Sequence, residues 1–261
     1  MPPNRSRRFR PRVFGILTGI SLPLLLCLST ALAQGKFEQQ LSKPLLVLIG
    51  LGVLAVVPIV LIMMTSFVKI AVVLALIRNA LGTQQIPPNQ VVTGLALILT
   101  IYIMVPVGIE AYRNAESVVQ QTTNQGFLSA ATLGLAQEAA VKAREPVRAF
   151  LAKFASEKDR SLFFNLAKKM RKPEDRDQVH DNDFLILVPA FVVSELAKAF
   201  QIGFIIFLPF LVIDMVVANI LLSLGMFQLS PVTVSLPFKL LLFVLVDGWY
   251  LIAKGLVLGY T

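Results

Sequence analysis

Six ionisable side chains interrupt the apolar C-terminal part of the chain, and they are the residues most able to do chemistry. They lie between residues 184 and 261 and comprise three acids and three bases: Glu195, Lys198, Asp214, Lys239, Asp247 and Lys254. On insertion scales each costs about 2.5–3.5 kcal/mol at the centre of a helix in lipid. Six unpaired charges would cost on the order of 15–20 kcal/mol, so they cannot all face lipid.

The residues alone leave two interpretations of these charges open. In the first, Lys254 reaches the membrane surface from near the chain end, and Glu195 pairs with Lys198 at i, i+3 on one helix. In the second, the charges pair across helices or subunits, or line a wet conduit. Asp214 and Asp247 could share a proton as an acid dyad. Their contexts, VIDMVVAN and LVDGWYL, differ from the YD and GxGD motifs of intramembrane aspartyl proteases.

Other catalytic and metal-binding patterns are absent from the sequence. The chain has no G-x-S-x-G, H-E-x-x-H or G-x-x-x-x-G-K-[ST] string. Its one histidine, His180, lies in a charged stretch where a solvated side chain is expected, and its one cysteine, Cys27, lies in the N-terminal apolar run. We therefore predict no catalytic residue, no metal site and no cofactor.

The composition is that of a membrane protein. Of the 261 residues, 56% are hydrophobic and 15% are charged, whereas soluble domains have about 45–50% and about 25%. The net charge of +9 is a poor indication of nucleic-acid binding, because five arginines within residues 5–12 supply more than half of it. From Gln34 onward, 19 Lys+Arg face 15 Asp+Glu. Membrane lipid, and not nucleic acid, is the expected surrounding.

The N-terminus has the pattern of a secretory signal peptide. Its arginines precede an apolar run, Val13 to Leu32, which closes with Ala31-Leu32-Ala33. This pattern predicts a signal over residues 1–33, cleaved after Ala33. The alternative is an uncleaved anchor, because the apolar run is longer than the usual length of about 7–15 residues.

Four or five hydrophobic helices are predicted downstream. Leu45 to Met64 has no charge and matches the bilayer thickness as a helix. Thr65 to Leu81 continues at helical spacing, and Val91 to Ile109 is long enough to span. Phe184 to Phe227 predicts two spans or one very long helix, and Phe238 to Tyr260 predicts the last helix. No strand pattern occurs, so the predicted fold class is an all-α membrane protein.

The section from residue 110 to residue 183 is polar and nearly neutral, with 12 Lys+Arg and 11 Asp+Glu. Two apolar stripes at helical spacing within it predict a small helical subdomain: Val147, Phe150, Leu151 and Phe154, then Leu162, Phe163, Leu166 and Met170. Lys168 to Asp183 is expected to be a mobile linker. The predicted division is 1–33 (signal), 34–109 (N-terminal hydrophobic hairpin), 110–183 (polar subdomain and linker) and 184–261 (C-terminal hydrophobic helices).

The placement of lysine and arginine predicts the topology. The short loop from Thr65 to Gln90 carries Lys69 and Arg78 without an acid, so the positive-inside rule places it in the cytoplasm. If every apolar helix crosses the membrane, the polar section then lies on the periplasmic side.

Three long strings resemble the FliP/SctR family, the core inner-membrane export-apparatus proteins of the bacterial flagellum and of injectisome type III secretion systems. They are RNALGTQQ..PPN from Arg78, SEL..AFQIGF from Ser194 and SLPFK.LLFVLVDGW from Ser235. The resemblance extends from about Leu45 to Thr261. The VANILLSLGM string and the GLVLGY end resemble the injectisome branch, whereas a cleaved signal is commoner among flagellar members.

This resemblance implies a machine part and not an enzyme. Several copies, typically five, assemble with FliQ/SctS-type and FliR/SctT-type proteins into a cone that is the entry gate for unfolded export substrates. The implied location is the inner membrane at the base of a flagellar or injectisome basal body, partly raised toward the periplasm. Apolar helices would then pack in hairpins against protein, with the helical subdomain on the periplasmic side.

The resemblance also implies roles for particular residues. Glu195 and Lys239 correspond to an inter-subunit ion pair. From the cost of unpaired charges alone, Lys198, Asp214 and Asp247 are further candidates for pairs between helices or subunits. Family members place methionines before a proline as a deformable gasket. Here that stretch reads Met226, Phe227, Gln228, Leu229, Ser230, Pro231, so Phe227 is expected to act as the apolar plug and Gln228 to add a polar edge. A plain helix-ending turn is the alternative.

The first string is expected to be structural. Arg78, Asn79, Gly82, Pro87 and Pro88 predict a turn that fixes helix packing, with Gly82 capping the preceding helix. The main rival function is a secondary transporter or proton-conducting protein, in which Glu195, Asp214 and Asp247 carry protons.

Overall fold

The computed structural model describes residues 43–83, 86–119 and 130–261, so the predicted signal peptide lies outside the described residues. The described segments form α-helices and one 3₁₀ helix, Pro173–Gln178, and contain no strand. The α-helices are α1 (Lys43–Met63), α2 (Phe67–Leu81), α3 (Asn89–Val119), α4 (Ala130–Phe154), α5 (Glu157–Met170), α6 (Phe184–Ser223), α7 (Pro231–Leu245) and α8 (Gly248–Leu258). The all-α membrane-type fold is confirmed.

Within the described residues, two helices are long and apolar enough to cross a membrane on their own, α3 and α6. Two bent pairs would raise the number to four if each pair forms one span: α1 with α2, bent by 69°, and α7 with α8, bent by 60°. The bends explain why counting apolar runs in the sequence does not by itself count spans.

Helix α6 resolves the ambiguity over residues 184–227, because it is one helix of 40 residues. At 1.5 Å per residue it is about 60 Å long, which is about twice the hydrocarbon thickness of a bilayer. Its N-terminal part packs on α4 and α5, its middle packs on α2 around Glu195 and Gly203, and its C-terminal part packs on α7 around Asp214. The helix therefore connects the polar section to the apolar helices.

The polar section contacts the apolar helices directly. Helix α3 runs through the predicted boundary at residue 109, and α4 packs along it. The predicted mobile linker instead contains the 3₁₀ helix and the buried Val179, and the Asp183 carboxylate accepts a hydrogen bond from the His180 backbone N–H at 3.0 Å. Short-range hydrogen bonds of this kind order a polar segment without an apolar core.

Two clusters of buried side chains hold the helices together. The apolar cluster joins α2, α3, α6, α7 and α8, and its members include Ile70, Leu74, Ile77, Ala199, Phe210, Phe243 and Leu256. The aromatic cluster joins α4, the first turns of α6 and the chain end, with Phe150, Leu151, Phe184, Leu187, Phe191 and Tyr260. The last residues of the chain therefore contact the polar section directly.

Two glycines permit the closest helix contacts. A Cβ at Gly203 would lie 2.3 Å from Leu76 Cδ1, so α2 and α6 approach closely here because the side chain is missing. A Cβ at Gly248 would lie 2.4 Å from the Phe243 ring. This second contact folds α8 against α7 at the bend.

The last apolar helix was predicted incorrectly as one segment from Phe238 to Tyr260. Helix α7 begins instead at Pro231, where a first-turn proline is tolerated, and Pro237 lies inside it. Asp247 then adopts a left-handed conformation with φ 52°, which ends the helical path before α8 begins. The sequence signal was an Asp-Gly pair, which tolerates this conformation.

Candidate functional site: buried ion pairs and an exposed hairpin turn

Glu195 is the centre of a buried ion-pair cluster on α6. Its side chain is 0% exposed, and its carboxylate lies 3.1 Å from Lys69 Nζ of α2 and 2.9 Å from Lys198 Nζ. The Lys69 side chain is 4% exposed, whereas that of Lys198 is 40% exposed. Lys198 also donates to the Phe154 carbonyl oxygen at 2.7 Å. The buried Lys69 ammonium therefore depends on Glu195 as its anion, whereas the Lys198 ammonium also contacts solvent and the Phe154 carbonyl oxygen.

Tyr260, the penultimate residue, completes this cluster. Its hydroxyl donates a hydrogen bond to Glu195 Oε2, and its ring lies 3.6 Å from Lys69 Nζ in a cation–π contact. Burial, and then the nearby carboxylate, raise the pKa of the Tyr260 phenol, so the hydroxyl remains a protonated donor. The two lysines share one carboxylate, and the aromatic face adds attraction for the second positive charge.

Ser194, next to Glu195, attaches α5 to α6. Its Oγ accepts a hydrogen bond from the Ser156 backbone N–H at 2.8 Å and donates to Asp159 Oδ2 at 2.5 Å. Ser156 lies at the N-terminus of α5, where backbone N–H groups lack partners in the helix itself. The Ser194 hydroxyl, which both accepts and donates a hydrogen bond, thus holds the N-terminus of α5 against α6.

A second buried pair joins α6 to α7. Lys239 Nζ lies 2.6 Å from Asp214 Oδ2, and its side chain is 3% exposed. The Ser235 hydroxyl donates to the other carboxylate oxygen, and Lys239 also donates to the Ala80 carbonyl oxygen at 3.4 Å. Because Ala80 is in the last turn of α2, this lysine places positive charge at a helix C-terminus. One ammonium therefore ties three helices together.

The structure does not bring Glu195 and Lys239 together within one chain. It pairs Glu195 with Lys69 and Lys198, and it pairs Lys239 with Asp214. The same-helix pair of Glu195 and Lys198 is present, and pairing across helices occurs as well. The predicted bridge between neighbouring subunits concerns an assembly, so it stays a prediction.

Sequence reasoning used Lys69 only for topology and missed its role in the cluster, and it missed Tyr260, Ser235 and Ser194. A signal existed for Lys69, because it is a charge within the apolar string TSFVKIAVV. No signal in the sequence identified Tyr260, because its partner Glu195 lies 65 residues away along the chain.

The two remaining charges have different surroundings. Asp247 is exposed at the bend between α7 and α8, and its side chain does not cap α8. Lys254 is also exposed, with its ammonium 5.6 Å from the Tyr250 ring centroid. Neither residue forms an ion pair within the described part of the chain. Asp214, a candidate dyad partner of Asp247, instead bonds Lys239 and Ser235.

A glycine ends α2 before the turn that leads to α3. Gly82 caps α2 in the left-handed conformation, φ 71°, and its N–H donates to the Asn79 carbonyl oxygen at 3.1 Å. The Pro88 carbonyl oxygen accepts the first backbone hydrogen bonds of α3, and Pro87 precedes it. The Asn89 side-chain oxygen accepts a hydrogen bond from the Arg78 guanidinium. That contact links the two helices across the turn.

The candidate gasket forms the turn between α6 and α7. Gly225, φ 72°, ends α6: its N–H donates to the Leu222 carbonyl oxygen at 3.1 Å and that of Met226 donates to Leu221 at 2.9 Å, the hydrogen-bond pattern of a Schellman cap. Phe227 is 76% exposed, and Met226 and Gln228 are exposed beside it. Three exposed side chains therefore lie together on one turn.

Buried ion pairs between helices, together with long helices whose apolar side chains are exposed, define an all-α membrane-type protein. The FliP family model matches residues 50–256. The chain belongs to the FliP family.

Curated relatives agree with this assignment. The chain is 48% identical over 222 residues to the flagellar biosynthetic protein FliP of Bacillus subtilis, covering 85% of this chain and 94% of that protein. It is 44% identical over 226 residues to the Yop proteins translocation protein R of Yersinia pestis, covering 85% and 98%. It is 42% identical over 253 residues to FliP of Pectobacterium carotovorum, covering 96% and 88%. The flagellar and the translocation relatives have similar sequence identity to this chain, so its assignment to the injectisome branch stays a prediction.

Proposed function

We propose that this chain is a core subunit of a type III protein export gate in the bacterial inner membrane. Several copies, five by family resemblance, form the entry pore for unfolded secretion substrates together with FliQ/SctS-type and FliR/SctT-type proteins. The role is structural and not enzymatic. The polar section is expected on the periplasmic side.

The observation that carries this proposal is the distribution of charged and apolar side chains. Lys69 of α2, Glu195 of α6 and Lys239 of α7 are buried, whereas large apolar residues of the same helices are exposed. In the most apolar windows of α3 and α6, 11% of the residues are buried. Helix α6 is about 60 Å long, so lipid alone would cover only about half of its length. Further protein surface is needed to cover the rest.

Within this proposal, the turn at Met226, Phe227 and Gln228 closes the resting pore. Phe227 supports that role because it is bulky, apolar and 76% exposed in a single chain. We expect Phe227→Ala to increase ion leakage across the membrane of expressing cells. Phe204→Ala is the matched control, because Phe204 is an exposed phenylalanine on the side of α6. Equal conductance of Phe227→Ala and the parent would leave the turn as an ordinary helix end.

In the assembled ring, Glu195 of one copy also forms an ion pair with Lys239 of the next copy. Lys239 would have to exchange Asp214 for Glu195, and Asp214 would retain the Ser235 hydroxyl. Two co-expressed variants, Glu195→Cys and Lys239→Cys, test this with a short thiol-specific cross-linker. The expected product is a dimer. The control is the double variant Asp214→Cys/Lys239→Cys, in which both thiols are in one chain. If only this control is cross-linked, Lys239 pairs within its own subunit and the proposed bridge is wrong.

The experiment that tests the function is native mass spectrometry of the detergent-extracted protein. It is expressed alone and then with the FliQ/SctS-type and FliR/SctT-type proteins of its source genome. We expect a ring near five copies that takes up both partners. A stable monomer or dimer that ignores them would contradict the export gate, and proton flux through Glu195, Asp214 and Asp247 would then be the next assay.

A further inference from the structure

The last two residues of the chain contact α4 in the polar section. Tyr260 is 8% exposed, and its ring packs against the rings of Phe150 and Phe154, with centroid distances of 5.9 and 4.9 Å. Lys153 Nζ donates a hydrogen bond to the Thr261 carbonyl oxygen at 3.3 Å. Both residues lie beyond the end of α8. Helix α4 therefore holds the chain end through three of its side chains.

The same tyrosine also contacts the apolar helices. Its hydroxyl donates a hydrogen bond to Glu195 of α6, and the centroid of its ring lies 3.6 Å from the Lys69 ammonium of α2. Both partners are buried. One side chain therefore joins α2, α4 and α6, three helices that are distant along the sequence.

The position of Tyr260 at the chain end limits when these contacts can form. A chain is made from its N-terminus, so α2, α4 and α6 exist before Tyr260 is added. Until then the Lys69–Glu195 pair lacks its aromatic cover, and the rings of α4 lack the ring that packs on them. A terminus is also restrained on one side only, so it can undock without breaking a helix. The chain end therefore closes this part of the core last.

We propose that Tyr260 and Thr261 form a latch that fastens the polar section to the apolar helices. When the latch is docked, the aromatic cluster is closed over the Lys69–Glu195 pair. When the latch is missing, α4 separates from the first turns of α6 and the cluster opens, whereas the far end of α2 stays packed. Only chains with a complete end then enter the ring, and this consequence alone rests on the proposed function.

Thiol accessibility tests the latch in the detergent-purified chain. Ala190→Cys places a reporter in the aromatic cluster, where Ala190 is 0% exposed. Ala80→Cys is the matched control, because Ala80 is 1% exposed and belongs to the apolar cluster. Ala80 also lies in the last turn of α2, about 16 Å along the helix from Lys69. Cys27→Ser removes the natural thiol from both reporters, and a water-soluble maleimide is the probe.

Each reporter is measured in the full chain and in a chain that ends at Gly259. We expect the truncation to raise the maleimide rate of the Ala190→Cys reporter by on the order of tenfold or more, and that of Ala80→Cys by less than about twofold. Tyr260→Phe keeps the ring, so its effect should be smaller. An unchanged rate for Ala190→Cys would overturn the latch. An equal rise for both reporters would also overturn it, because the whole chain would then have unfolded.

Co-expression tests the consequence for assembly. The full chain and the chain that ends at Gly259 are expressed together with the partner proteins, one of which carries the affinity tag, and native mass spectrometry separates the two chains by mass. We expect the truncated chain to make up on the order of one-tenth or less of its membrane share in the rings. Equal shares would overturn this consequence. If the full chain forms no ring, the proposed function fails, whereas the thiol rates still decide the latch.

Discussion

The buried cluster around Glu195 makes a prediction about which of its two lysines matters. The Glu195 carboxylate contacts Lys69, whose side chain is 4% exposed, and Lys198, whose side chain is 40% exposed. Glu195→Gln keeps the size of the side chain but leaves Lys69 as a buried ammonium without an anion. Breaking a buried pair in this way costs about 3–5 kcal/mol.

The two lysines should respond unequally to the same substitution. Lys198→Met removes a partly solvated pair, which is worth about 0–1 kcal/mol. Lys69→Met removes the inward cation, leaves Glu195 with Lys198 and Tyr260, and should fall between the other two variants. The double variant Lys69→Met/Glu195→Leu replaces the pair with apolar groups, so it should recover most of the loss of Glu195→Gln.

Thermal unfolding of the detergent-purified chain measures this order. With about 2–4 °C per kcal/mol for a chain of this size, Glu195→Gln should lower the midpoint by about 6–20 °C. Lys198→Met should lower it by less than about 4 °C. The reasoning is refuted if Lys198→Met is as damaging as Glu195→Gln while Lys69→Met is harmless. The same-helix pair would then be the one that stabilises the fold.

Three further predictions use the same unfolding assay. Gly203→Ala forces a Cβ against Leu76 and should lower the free energy of unfolding by about 1–3 kcal/mol. Gly94→Ala is its control, because a Cβ at Gly94 meets open space. Equal effects of the two variants would contradict the packing argument. Gly82→Ala places a side chain at φ 71° and should lower the free energy of unfolding by about 1–2 kcal/mol. An unchanged unfolding midpoint would contradict this expectation. Tyr260→Phe keeps the ring over Lys69 but removes the hydrogen bond to Glu195, so a loss of about 1.5–3 kcal/mol is expected; no loss would show that the hydroxyl is dispensable.

Local patterns in the sequence were sufficient for the helices and for several of their ends. Apolar runs placed α1, α3 and α6 to within a few residues at their N-terminal ends, because burial in lipid or protein needs a continuous apolar segment. Gly82 was identified as a cap because only a residue that tolerates positive φ fits there. The family also followed from sequence, since its motifs are long contiguous strings.

The breaks in the helices were harder to predict. The bend at Asp247 and Gly248 depends on the Phe243 ring, which occupies the space a side chain at Gly248 would need. Helix α3 remains helical past residue 109, where its apolar run ends, and α4 packs along it. In both cases packing between helices outweighs the local composition.

The sequence by itself determined that charges inside apolar helices need partners, because the cost of an unpaired charge in lipid depends only on its chemistry. Only the tertiary structure decided which partners they have. Glu195 meets Lys69 from α2 and Tyr260 from the chain end, and Lys239 meets Asp214. Periodicity describes one helix at a time, whereas these pairs form where different helices touch, and that choice depends on how the whole set of helices packs.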